Sequence, residues 1–213
     1  MVSLAITRFC ARCAVDHCRR WNLSSPRREH DRAFPVSSEN AILVGVFDGF
    51  TWIRCEGKGS FVISPALKEC VEGRISAGER CLVIDLEACT GMDSTFMGQL
   101  ASFAARLSKL GVSGGVQIAS PGERNRSSLE DLGLDCLLVI DPPVAPWRGR
   151  VADFRAMLEP YHMGRLPGMQ ERARHILDAH KTLSATNEDN ARKFAGVVGI
   201  LEKEVQDQER QAD

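Results

Sequence analysis

The chain has 213 residues, of which 44% are hydrophobic and 26% charged, an ordinary globular composition that fills one full domain plus additions. Lys and Arg total 27 against 28 for Asp and Glu, a net charge of -1; that balance excludes the basic footprint of a nucleic-acid binder and a polybasic membrane anchor. The sequence has no apolar stretch near the ~20 residues that span a bilayer, and its first apolar run is too short for a signal-peptide core, so a cytoplasmic chain with no direct membrane insertion is expected.

Residues 1–40 are Arg-rich, broken by Pro26 and Pro35 and without a sustained period, which predicts a disordered extension. Cys10, Cys13, His17 and Cys18 have zinc-like spacing there, but structural zinc sites pair two such knuckles across a folded loop. Incidental thiols are expected and no metal. Cytoplasmic thiols stay reduced, and Cys55, Cys70, Cys81 and Cys89 sit among apolar residues, where cysteine packs as a small hydrophobe.

Residues 41–141 alternate strand and helix patterns. Ala41–Phe47 and Thr51–Glu56 flank Asp48-Gly49-Phe50, a hairpin signal, since glycine tolerates the positive φ of a tight turn. A helix is predicted around Pro65–Glu79, with Ser64 as its cap and Leu67, Cys70, Val71 and Ile75 on one face. Cys81–Leu86 is a continuous apolar run, as in a strand buried on both faces. Phe96, Leu100, Phe103, Leu107 and Leu110 then recur at steps of four and three before Gly111, an amphipathic helix with its stop. Gly115–Ala119 is the next strand, and Ser120-Pro121-Gly122-Glu123 predicts a helix start capped by Ser120. That helix runs to about Leu132, and Leu137–Ile140 is a last short strand. The order predicts an α/β fold with a mainly parallel sheet and helices packed against it.

Beyond this domain, residues 142–166 read as a Pro-rich connector containing Trp147. Residues 167–207 carry two heptad-like stripes, Met169, Ala173, Ile176, His180 and Leu183, then Ala191, Phe194, Val198, Leu201 and Val205. A capping segment, Thr186-Asn187-Glu188-Asp189, separates them, predicting an antiparallel helical hairpin in which His180 is a packed edge residue.

The chemistry centres on Gly91-Met92-Asp93-Ser94-Thr95-Phe96-Met97-Gly98, where a buried strand feeds a helix. Ser94 there can accept from first-turn N–H groups. The same place suits a phosphate, because free N–H groups and the helix dipole favour an anion. A phosphoryl group adds roughly -1.5 to -2 charges, beside the Asp93 carboxylate, enough to eject a partner complementary to the uncharged form. Nothing assembles a catalytic site: Asp85 and Glu87 lie two apart with no histidine or metal-ligand cluster near in sequence, and Ser113-Gly114-Gly115 lacks a P-loop's flanks.

The segment VIDLEACTGMDSTFMGQL resembles the signature of STAS-domain anti-sigma factor antagonists, in which Met-Asp-Ser-Ser/Thr-Gly follows the third strand. The resemblance covers residues 41–141, including Glu-Arg-Asn-Arg and Leu-Gly-Leu near the end. It implies a non-enzymatic partner-switching regulator. An anti-sigma factor serine kinase would bind the unmodified form and phosphorylate Ser94, with Thr95 the alternative acceptor. A PP2C-type phosphatase would restore it. Docking would use Met92, Asp93, Thr95, Phe96, Met97, Gly98 and Ser60, with no cofactor, and the C-terminal helices would add self-association or a second contact. This chain departs from the family pattern at Phe96, usually glycine, and at Ser60, where an aspartate is usual. The alternative expectation is a constitutive STAS scaffold, a subunit of a signalling assembly or of a membrane transporter's cytoplasmic side. A third is a small-ligand sensor using the hairpin against the sheet.

Overall fold

The structure, a computed structural model, describes residues 40–112 and 115–212; the N-terminal extension with Cys10, Cys13, His17 and Cys18 lies outside them, as do Ser113 and Gly114. Strand β1 (Ala41–Phe47) turns through Asp48 and Gly49 into β2 (Phe50–Gly59). Gly49 has φ 84°, the left-handed geometry a two-residue hairpin turn requires. There follow helix α1 (Ser64–Ser76), β3 (Leu82–Asp85), β4 (Cys89–Met92), α2 (Ser94–Lys109), β5 (Val116–Ala119), α3 (Glu123–Glu130), a 3-10 turn at Leu134–Cys136 and β6 (Val139–Ile140). Helix α4 (Val151–Ala156), β7 (Glu159–Pro160), α5 (Met169–Ser184) and α6 (Glu188–Ala212) complete it.

The sheet runs β6-β5-β3-β2-β1-β7, with β4 pairing the far half of β2. β2 with β3, β3 with β5 and β5 with β6 are parallel; β1 is antiparallel to both its neighbours. Side chains alternate across the sheet, as the strand period dictates. Ile53, Cys55, Leu82, Ile84, Val116 and Ile118 point into the main core with α1 and α2. Phe50, Trp52, Val83 and Ala119 point to the reverse face, where Trp147 and Phe154 close over them. Trp147 meets Trp52 edge-on, centroids 5.3 Å apart, and its indole N–H donates to Gln117 Oε1 at 2.7 Å. The Pro-rich segment after β6 thus lines the second face of the sheet, and β7 adds an edge strand beside β1.

Several helix starts differ from expectation. Ser64 is the first residue of α1, after Ile63, and makes no cap bond. Ser120 does not cap α3: it holds φ 51°, its N–H donates to Asp141, and Gly122 occupies the cap position. Proline at position 121 favours extended backbone before it but cannot force the serine into cap geometry. Leu110 is exposed, since α2 ends one residue earlier. On α6, Ala191 faces solvent and Asn190 is buried instead.

The two C-terminal helices pack on each other and on α2. Ala173, Leu177 and Val205, with Val198 and Leu201, form an apolar cluster between α5 and α6. Leu183 and Phe194 reach the main core. At the hairpin tip, Asn187 and Asn190 donate to the Leu132 carbonyl at 3.3 and 2.9 Å. Among the described residues, no helix is long and apolar enough to cross a membrane.

Candidate functional site

β4 positions the site. It pairs Lys58 with Gly91 and Gly59 with Met92, and the Asp93 N–H donates to the Gly59 carbonyl at 2.9 Å. Sequence periodicity missed this strand, because Cys89-Thr90-Gly91-Met92 is too short and mixed to show a period. Asp93 then caps α2: its backbone is extended (φ -93°, ψ 170°) and Oδ1 accepts from the Phe96 N–H at 2.9 Å. Oδ2 accepts from the Phe61 N–H at 2.8 Å, tying the loop before α1 to the start of α2. The cap expected of Ser94 therefore belongs to Asp93, where a carboxylate also meets the positive end of the helix dipole. Ser94 is the first helical residue, and its hydroxyl is left over.

That hydroxyl, half-buried, lies 2.9 Å from Nε2 of His180 on α5. His180 Nδ1 lies 2.8 Å from the Ile176 carbonyl. A carbonyl only accepts, so Nδ1 carries the proton and Nε2 accepts from the Ser94 O–H. A second serine–histidine contact joins α5 to α1: Ser64 Oγ is 2.7 Å from His175 Nε2. His175 is buried, and that burial, aided by Lys68 and opposed by Asp93, pushes its pKa down to about 4. The sequence stripe through His180 concealed this face of α5. His175, Ala179 and Leu183 recur at steps of four and are all buried, a second stripe that a search at helical spacing can find.

Most of the expected docking side chains are interior. Thr95 is 4% exposed, Phe96 0% and Ser60 6%, while Met97 and Gly98 are also buried. Met92, Asp93 and Ser94 are half-buried. Each inward turn has a cause. Phe96 lies over Gly59, where an added Cβ would come within 3.0 Å of its ring. The bulky residue at a family-glycine position is thus matched by a glycine on β2. The Ser60 carbonyl takes the N–H groups of Ile63 and Ser64. What is exposed beside Asp93 is Phe61 at 49% and Val62 at 62%, an apolar pair in the loop after β2. Two apolar residues between a strand end and the Ser64-Pro65 helix start are the available sequence signal.

Asp85 and Glu87 belong to a different cluster, on the reverse face. Asp85 has no exposure and accepts from Trp52 Nε1 (3.2 Å), Arg54 Nη1 (3.0 Å), and Arg155 Nε and Nη2 (2.7 and 2.9 Å). Glu87 pairs with both arginines at 2.8 Å. The buried carboxylate is saturated by fixed donors, an arrangement that locks α4 and β3 together and leaves no lone pair for acid–base work.

Residues 41–146 match the family model for the STAS domain. No curated protein matches the chain. Among solved structures, the chain is similar to an anti-sigma factor antagonist from Mycobacterium paratuberculosis at 24% identity, covering 55% of this chain and 94% of that one, TM-score 0.45. It is similar to the anti-sigma factor antagonist SpoIIAA in its unphosphorylated form at 15% identity, covering 55% and 100%, TM-score 0.42. Phosphorylated SpoIIAA, a Bacillus cell fate determinant, matches at 17% identity over 48% and 93%, TM-score 0.38.

Proposed function

We propose, from the premise that residues 41–146 are a STAS domain, that this chain is an anti-sigma factor antagonist whose docking is toggled at Ser94. The observation that carries the reading is the division of labour at the start of α2. Asp93 supplies the cap through Phe96 N–H, so the Ser94 hydroxyl is not needed to hold the helix and can exchange its His180 bond for a phosphoryl group without uncapping α2. In the proposed step Ser94 Oγ attacks the γ-phosphorus of ATP held by an anti-sigma serine kinase. The bond to the β-phosphate oxygen breaks, ADP leaves, and the hydroxyl proton passes to a kinase base. Hydrolysis by a PP2C-type phosphatase returns serine and inorganic phosphate. The new charge stands next to the Asp93 carboxylate, where like-charge repulsion and desolvation oppose a partner that fits the neutral surface.

Partner contact would centre on Phe61 and Val62, held beside Asp93 by the Phe61 N–H bond, together with Met92 and Ser94. Apolar side chains next to a switchable charge give affinity and control in one patch. Self-association through the C-terminal helices would fall on the outer face of α6, where Ile200 is exposed. Incubation with an anti-sigma serine kinase and ATP, followed by phosphopeptide mapping, tests the reading. Phosphate at Ser94, absent in Ser94→Ala, supports it; no phosphate at Ser94 or Thr95 rejects it. The constitutive-scaffold reading is favoured by the Ser94–His180 bond, which occupies the hydroxyl; recovery of a transporter or signalling subunit, with Ser94→Ala indifferent, would select it.

A further inference from the structure

Along α2, Ser94, Gly98 and Ser102 form one stripe at steps of four, and α5 lies on all three. Ser94 donates to His180. Ser102 Oγ donates to Thr182 Oγ1 at 3.0 Å. Between them, a Cβ added at Gly98 would stand 2.4 Å from the Ala179 carbonyl oxygen and 2.8 Å from its carbon. The two backbones are as close as glycine allows. We propose that the α5–α6 hairpin is an autoinhibitory cover over Ser94, which a partner must displace before it can dock or phosphorylate. The inference rests on the phosphoacceptor reading above.

Three features bear on how the cover separates. The hairpin has its own apolar cluster of Ala173, Leu177, Val198, Leu201 and Val205, so it can leave as a unit. Along the Ser94–Ser102 stripe its contacts with α2 are polar or small, a serine with a histidine, a serine with a threonine, a glycine with an alanine, while Leu183 and Phe194 reach the main core and must be withdrawn as it opens. Residues 161–168, with no helix or strand, give the slack to move. The cover and the modification also exclude each other. A phosphoryl group replaces the proton that His180 accepts and inserts phosphorus and three oxygens into a contact 2.9 Å wide. A partner that binds only the uncovered state has its apparent affinity reduced by the fraction of chains that are open.

The test uses the full chain and places the perturbation on the cover. In Ser94→Cys, maleimide labelling is read peptide by peptide against exposed Cys136. The new thiol reacts about ten-fold more slowly than Cys136, and adding Ala179→Leu, a wedge against Gly98, brings it within about three-fold. Equal rates in Ser94→Cys alone overturn the cover with no kinase involved. In parallel, an anti-sigma serine kinase with ATP phosphorylates Ala179→Leu at Ser94 about ten-fold faster than wild type. Uncovering by the labelling criterion without that gain overturns the inhibition. No phosphate on either chain, with the labelling contrast intact, overturns the phosphoacceptor reading and the inhibition with it, while the cover stands. His180→Ala deletes the hydrogen bond without adding volume and carries the same sign at smaller size, so a misfolded Ala179→Leu does not remove the test.

Discussion

Replacing Gly98 by alanine separates two opposing effects. Alanine raises the intrinsic helix stability of α2 by about 1 kcal/mol. Its Cβ, however, would stand 2.4 Å from Ala179 O and 2.9 Å from Ala179 Cβ, against an ordinary contact of about 3.5 Å or more. The nearest atom is a helix carbonyl, so α5 must retreat by about 1 Å as a body. Overpacking of this kind costs about 1–3 kcal/mol. The helix-propensity gain is present whether the hairpin is docked or open and cancels from the opening equilibrium. Opening of α5 and α6 is therefore favoured by the overpacking alone, about 5- to 150-fold, and native-state hydrogen exchange reads it directly. The expected result is faster exchange through α5 and α6 with β2, β3 and β5 unchanged. Unchanged exchange in α5, with a raised melting temperature, would refute the close approach of α5 to α2.

The hairpin responds to acid through His175. Its pKa is about 4 when docked against an ordinary 6.5, so docking is fully favoured above pH 6.5 and weakens as pH falls toward 4. At pH 5 the linkage amounts to about 2 kcal/mol; exchange of α5 measured at pH 7.5 and pH 5 checks it, and His175→Gln removes the dependence. Asp85→Ala strands Arg54 and Arg155 around an empty site and lowers unfolding free energy by about 3 kcal/mol, read by urea titration; a loss below about 1 kcal/mol contradicts the described ion cluster. Trp147→Ala opens the reverse face against Trp52 and costs about 3–5 kcal/mol, with Trp52 fluorescence shifting red as water enters.

Long runs with one dominant period are legible in the residues themselves. The Asp48-Gly49 turn, β3 and the Phe96–Leu107 face of α2 follow from the residues alone: glycine marks the turn, β3 is apolar up to Asp85 because both its faces are buried, and α2 shows one clean stripe. Less legible are a helix with two buried stripes and a short strand of mixed polarity. β4 has four residues, and α5 buries one stripe against α6 and another against α2, so the His180 stripe hides His175 and Ala179. The proposed acceptor serine is legible through its neighbours, but its hydrogen-bond partner lies 86 positions away, beyond any local signal. The cap of α2 falls one residue earlier than spacing suggests for a physical reason: aspartate and serine both cap well, and extended backbone at Asp93 decides between them. A contiguous motif suggests a contiguous docking surface, whereas a helix turns successive residues inward and outward. Exposure therefore passes to Phe61 and Val62 on another loop.

Charge control at Ser94 is isolated by measuring kinase affinity in the Ala179→Leu background, where the proposed cover is wedged open. Calorimetric titration of an anti-sigma serine kinase into Ala179→Leu and into Ala179→Leu/Ser94→Glu isolates the charge at the head of α2. Binding is expected to weaken at least about 30-fold with the added carboxylate, roughly 2 kcal/mol for a charge desolvated beside Asp93. Equal affinity for the two chains would contradict it.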